Sequence, residues 1–197
     1  YYAAPTGTVL HLKSCVAKVK LTDGVMLIAE DSTIDLDESV PEVLPTISLR
    51  NCTLTGPGSY RLANFSAYDS TVATLITAQN TFLKGCQINS AYTLIPKAGV
   101  AHTATYMGQS VTVDQFITGY IDSNIFNAKL IIDGQDTSAD HVLVDGLVIK
   151  DNRSNAESIN AWEIKRKGVM NSDRQNTYSF TGNTGGLQFH SKRRRFA

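Results

Sequence analysis

A short motif recurs along this chain at an interval too short for a domain and too long for a helical turn. Leu12-Lys13-Ser14-Cys15-Val16, Leu49-Arg50-Asn51-Cys52-Thr53-Leu54 and Leu83-Lys84-Gly85-Cys86-Gln87-Ile88 share one order: aliphatic, basic, small polar or glycine, cysteine, then a further aliphatic residue close behind. All three cysteines of the chain therefore occupy one motif position. Variants with Ser or Gly at that position are Asp31-Ser32-Thr33-Ile34, Asp69-Ser70-Thr71-Val72, Asp122-Ser123-Asn124-Ile125 and Asp145-Gly146-Leu147-Val148. The shared position falls at 15, 32, 52, 70, 86, 123 and 146; counting the 37-residue gap as two turns, with a degenerate copy near Thr103 and Ala104, gives a mean period of about 19. A period of that size marks a solenoid, in which each repeat buries its apolar face only against its neighbours.

The local pattern says what each repeat is made of. In Thr46-Ile47-Ser48-Leu49 and His141-Val142-Leu143-Val144 apolar and polar residues alternate, and β-branched residues are frequent. That is the period-two signature of strands, with no sign of the 3.6 period of helices. The expected fold is all-β: a right-handed parallel β-helix, a solenoid of coils of about 18–20 residues, each adding about 4.8 Å of height. A left-handed β-helix would carry a hexapeptide repeat, which is not found. Residues 1–150 are assigned to the coils. The repeat weakens beyond them, and 151–197 are assigned to an irregular continuation or cap of the same domain. Cys15, Cys52 and Cys86 then lie two coils apart, roughly 9–10 Å along the axis. A disulfide needs Cα atoms within about 7 Å, so three free thiols in a ladder of small residues are expected. The same spacing argues against a metal held by them.

Composition narrows the partners. Lysine plus arginine balances aspartate plus glutamate at 18 each, so no global field draws the chain to nucleic acid. The basic run Lys192 to Arg195 reads as a solvated tail. The longest uncharged apolar run near the start, Gly24 to Ala29, falls far short of the roughly 20 residues of a membrane span, so no membrane insertion is expected. The segment Tyr1 to Thr8 lacks a basic region followed by an apolar stretch, so it is not expected to act as a secretory signal.

The motif ladder, the richness in Ser, Thr and Asn, and the small corner residues resemble the parallel β-helix proteins of the pectate-lyase-like superfamily, phage tailspikes in particular. The resemblance is architectural and covers roughly residues 8–150. It implies a parallel homotrimer carried in the virion, at the phage tail, after assembly in the host cytoplasm, with a bacterial surface polysaccharide bound along its flank. A secreted or cell-surface protein is the alternative. Neither the calcium-binding aspartates and catalytic arginine of pectate lyases nor the paired aspartates of polygalacturonases have a counterpart here. No catalytic residue, metal or cofactor is therefore assigned.

Two segments carry candidate chemistry. In Asp133-Gly134-Gln135-Asp136-Thr137-Ser138-Ala139-Asp140 the carboxyls of Asp133 and Asp136 follow an apolar strand and could serve sugar binding, or an acid pair for glycoside cleavage. The same residues are also those that build tight turns. Around Trp162 and Glu163, with Arg153, Glu157 and Arg166 nearby, an aromatic platform and charged hydrogen-bonding groups would suit a sugar. A lone tryptophan is equally a core or interface anchor. Asp133, Asp136, Trp162 and Glu163 are accordingly the expected carbohydrate-binding residues. Three functions stand open: a polysaccharide receptor-binding protein, a polysaccharide hydrolase or lyase, and a passive spike segment.

Overall fold

The computed structural model describes residues 2–155, 162–167 and 178–192; Glu157 and the basic residues 193–195 lie outside them. Among the described residues there is no helix, and almost every pairing between strands is parallel. The chain alternates between two sheets. Val9–Lys13, Met26–Glu30, Thr46–Arg50, Ser59–Tyr68 and Leu75–Lys84 are successive neighbours in one, while Val16–Lys20, Thr33–Leu36, Thr53–Thr55, Thr71–Val72 and Gln87–Ile88 are successive neighbours in the other. Each pass through both sheets forms one tier, and each tier lies in register on the last. From the fourth tier on a third column appears, because residues 59–62 and 75–78 pair with one another and then with Tyr92–Leu94, Leu130–Asp133, Trp162–Lys167 and Leu187–Lys192. The strands Arg153–Ser154 and Tyr178–Thr181 join the same sheets, so both extend beyond residue 150.

A sharp corner between the first and second strand of each tier fixes the repeat. The corner residue is left-handed at Ser14, Asp31, Asn51, Asp69, Gly85, Ser123, Asp151 and Gly182, with φ between 47° and 68°. Asp, Asn, Ser and Gly adopt this conformation at least cost. The residue after each corner points inward, giving the column Cys15, Ser32, Cys52, Ser70, Cys86, Asn124, Asn152 and Asn183. A side chain in one tier caps the corner amide of the tier before. Ser32 Oγ accepts from Cys15 N, Ser70 Oγ from Cys52 N, and Asn124 Oδ1 from Cys86 N, at 3.2, 3.0 and 2.8 Å. The buried thiols donate in turn to backbone carbonyls: Cys52 Sγ lies 3.1 Å from Arg50 O and Cys86 Sγ 3.2 Å from Ala67 O. The three cysteines are free and occupy alternate tiers, and burial pushes the Cys86 thiol up from its ordinary value.

The first five ladder positions stand where the motif placed them, and the later ones do not. In the Asp122-Ser123 copy Ser123 is the corner itself and Asn124 is the ladder residue. Gly146 is a separate left-handed turn, with Asn152 the ladder residue of that tier. The 37-residue gap is not two coils either: Gln87 and Ile88 pair directly with Ile125 and Phe126, so the two motif copies lie in adjacent tiers, one coil apart. The surplus is a β-hairpin, in which Lys97–Tyr106 runs antiparallel to Gln109–Asp122. Its turn has both central residues left-handed, Met107 at 50° and Gly108 at 80°, the geometry that matches strand twist in a two-residue loop. Thr103 and Ala104 belong to this hairpin. Residues 118–122 then rejoin the tier beneath by pairing with 80–84.

Alternation along the strands divides core from surface. In the first-sheet column Leu27, Ile47, Phe65, Ala29, Leu49, Ala67, Leu83, Ile121 and Ile149 face inward and are at most 2% exposed. Each aliphatic side chain buried in this way is worth ~1.5–3 kcal/mol, which is why the register cannot slip by one residue. A satellite core of Ala104, Val113 and Leu143 packs the hairpin against the segment 134–146, whose strand Leu143–Val144 pairs with Phe116 and Ile117.

Candidate functional site

The same alternation that sends Leu49 and Ala67 inward sends their neighbours outward. Two positions before each ladder residue stands a row formed by Lys13, Glu30, Arg50, Tyr68, Lys84, Asp122, Lys150 and Thr181, successive members paired in register. Two residues earlier runs a second outward row, which includes Ile28, Ser48, Ser66, Phe82 and Tyr120. In the second to fourth tiers the second row carries Ile28, Ser48 and Ser66, shorter than the Glu30, Arg50 and Tyr68 that run beside them. The result is a groove of ≈ 390 Å³ bordered by Ile28, Glu30, Ser48, Arg50 and Tyr68. Ser66 Oγ and Ser48 Oγ are 3.0 Å apart, placing a hydroxyl pair beside the aromatic wall.

That wall extends upward. Tyr68 stacks on Phe82 with ring centroids 4.9 Å apart, and Phe82 on Tyr120 at 5.0 Å. Tyr68 is 40% exposed, so one end of the stack meets solvent at the groove. The other end is closed by charge: Asp122 accepts from Ser123 Oγ at 2.8 Å and Tyr120 Oη at 2.9 Å and pairs with Lys150 at 3.5 Å, while the Lys150 ammonium lies 5.5 Å from the Tyr120 ring centroid. The Ser123 hydroxyl first, then Tyr120 and Lys150, hold the Asp122 carboxyl below its ordinary value of 3.8 against an opposing effect of burial. A carboxyl depressed in the folded state stabilises the fold above its unfolded value and loses that contribution as pH falls through the folded one. Urea midpoints are therefore expected to fall more steeply for the wild type than for Asp122→Asn as pH drops below about 4; parallel acid limbs would refute this role for Asp122.

The four residues expected from sequence to bind carbohydrate are divided by the fold. Trp162 is 1% exposed, edge-on to Phe126 at 5.1 Å and to Phe180 at 6.1 Å, so it is a core side chain and not an exposed sugar platform. Its strand alternates, and Glu163 and Lys165 project from the opposite face. Glu163 pairs with Lys129 at 2.8 Å, and Lys165 lies 3.3 Å from Asp133 and 3.9 Å from Glu163. Asp133 and Glu163 are thus brought together through one ammonium, in a network that ties adjacent tiers. Asp136 is held elsewhere, by Arg61 at 2.8 Å. Asp133 Oδ1 caps Gln135 N and Thr137 Oγ1 caps Ala139 N, so the acidic segment is a succession of side-chain-closed turns.

Sequence reasoning passed over Arg50, Tyr68 and Phe82. The signal was present in the repeat, since the groove row is the motif's own basic position, two residues before each cysteine or its equivalent.

No protein-family model, no curated protein and no solved structure matches the chain. No helix of the described residues is long and apolar enough to cross a membrane, and no three His, Cys, Asp or Glu side chains among them are grouped to hold a metal ion.

Proposed function

We propose that the chain is a right-handed parallel β-helix acting as the receptor-binding part of a phage tailspike or tail-fibre type protein, with a bacterial surface polysaccharide as its partner. Successive tiers joined by parallel crossovers support the solenoid, and such crossovers are nearly always right-handed. The observation that carries the functional reading is the groove at Tyr68. A partly exposed ring, the Ser48 hydroxyl with Ser66 bonded behind it, and long charged side chains border a surface channel. Sugars present an apolar ring face and many hydroxyls, and this combination satisfies both. The regular rise of the tiers, about 4.8 Å, repeats the polar rows along the flank, which suits a polymer better than a compact small molecule.

Binding to a panel of capsular and O-antigen polysaccharides, read by biolayer interferometry, tests the proposal. Tyr68→Ala is expected to weaken binding about tenfold, the upper range of ~0.5–1.5 kcal/mol for an aromatic contact, with an unchanged circular dichroism spectrum. No binding across the panel, or full affinity in the variant, would count against it. A parallel homotrimer is part of the proposal, favoured by side chains as apolar and exposed as Val16 at 85% and Val100 at 90%. Light scattering at micromolar concentration should give three times the chain mass, and a strict monomer would exclude it.

A further inference from the structure

We infer that the groove at Tyr68 selects an anionic saccharide, one bearing a carboxylate of the uronic or sialic acid type. The inference rests on the polysaccharide reading above and narrows it to a chemical class. Its basis is the unequal pairing of charges along the outward row. Glu30, the acidic residue bordering the groove, is paired with Lys13 at 3.3 Å, and Asp122 is paired with Lys150. Among the described residues, Arg50 and Lys84 have no side-chain hydrogen bond or ion pair. They bracket Tyr68 in the register, one tier to either side, because Arg50 pairs with Tyr68 and Tyr68 with Lys84. The two cations are therefore separated along the row by about 9–10 Å, two strand spacings, with the exposed ring between them.

The corner aspartates of these tiers do not cancel this charge within the groove. Asp31 accepts from Asn51 Nδ2 at 2.8 Å, and neither Asp31 nor Asp69 borders the groove; Arg50 does, and Lys84 stands just beyond it, in the tier after Tyr68. The row carries four cations and two anions on a chain whose formal charge is zero, so the positive excess is local. A guanidinium offers a carboxylate two parallel N–H donors, whereas a neutral sugar leaves that fork half used. A sugar ring lying on Tyr68 brings its carboxylate to Arg50 on one side or Lys84 on the other. In an acidic polymer the next charged residue can reach the second cation.

The test compares acidic capsular polysaccharides containing uronic or sialic acids with their carboxyl-reduced forms and with a neutral panel, using the full chain. The wild type is expected to bind at least one acidic polymer tenfold or more tightly than its reduced form, with affinity falling steeply as salt rises. Arg50→Gln and Lys84→Gln should each weaken binding of the acidic form several-fold more than that of the reduced form, removing most of the preference, and Arg50→Lys should restore part of it. Tyr68→Ala should weaken both forms. Equal binding of acidic and reduced forms, with silent Arg50→Gln and Lys84→Gln, overturns the anionic class while polysaccharide binding stands. Failure to bind any polymer, acidic or neutral, overturns both.

Discussion

Replacing Asn152 with alanine is expected to lower the unfolding free energy by about 3–5 kcal/mol, because its side chain satisfies several buried backbone groups at ~1–3 kcal/mol each. Asn152 Oδ1 accepts from Asn124 N at 2.9 Å and from Asn124 Nδ2 at 2.8 Å, while its own Nδ2 donates to Ile121 O and Lys150 O, both at 2.9 Å. Asn124 and Asn183 repeat the arrangement one tier to either side. Alanine removes donor and acceptor together in a site that is 1% exposed. Aspartate at the same position keeps the acceptor but loses both donations and should cost nearly as much. The surface column Asn89, Asn127 and Asn155 provides the control, since its side chains bond only one another across exposed corners. Asn127→Ala should cost under about 0.5 kcal/mol. Equal costs in chemical denaturation would mean that the inner asparagine column is not what closes the corners.

The second large effect is expected at Trp162. Truncation to alanine removes the largest fully buried side chain and its edge contacts with Phe126 and Phe180. Such a change costs ~3–5 kcal/mol through lost burial and the cavity left behind. A domain stable by ~5–15 kcal/mol loses a third or more of its margin. Trp162→Phe, which keeps a ring in the pocket, should cost clearly less, and the tryptophan emission of the wild type should shift to the red only on unfolding. A Trp162→Ala protein as stable as the wild type, but deficient in polysaccharide binding, would return this residue to the role of sugar platform that its burial denies.

These two positions also show how far the sequence could be read. The inward column was legible through Cys86, because Cys and Ser recur there at intervals of 16–20 residues with nothing inserted between tiers. Beyond it two things change together. The column switches from Cys and Ser to Asn, whose longer side chain spans to the carbonyls of the tier below, and insertions stretch the spacing to 38, 28 and 31 residues. An insertion that leaves and re-enters the sheets in register alters the period without altering the fold, so the hairpin around Thr103 was mistaken for a degenerate coil. The Asp122-Ser123 pair looked like Asp31-Ser32 and Asp69-Ser70, yet Ser123 takes the left-handed corner that Asp occupies in the other two.

The groove at Tyr68 is hard to see in the sequence for a related reason. Acidic density drew attention to Asp133–Asp140, but that density is turn chemistry, and Trp162 among charges is ordinary strand alternation with its apolar half inward. What marks the groove is a contrast between rows: short side chains at Ser48 and Ser66 beside long ones at Arg50 and Tyr68. That contrast appears only when residues 16–20 apart in sequence are set side by side in register.

A crystal structure with the tightest-binding polysaccharide fragment of the panel is the decisive measurement. A sugar ring face on Tyr68, with its polar groups directed to Arg50 and Lys84, is the expected result. A fragment seated instead on the Asp133–Asp140 turns, or on a surface that leaves Tyr68 uncovered, would contradict it.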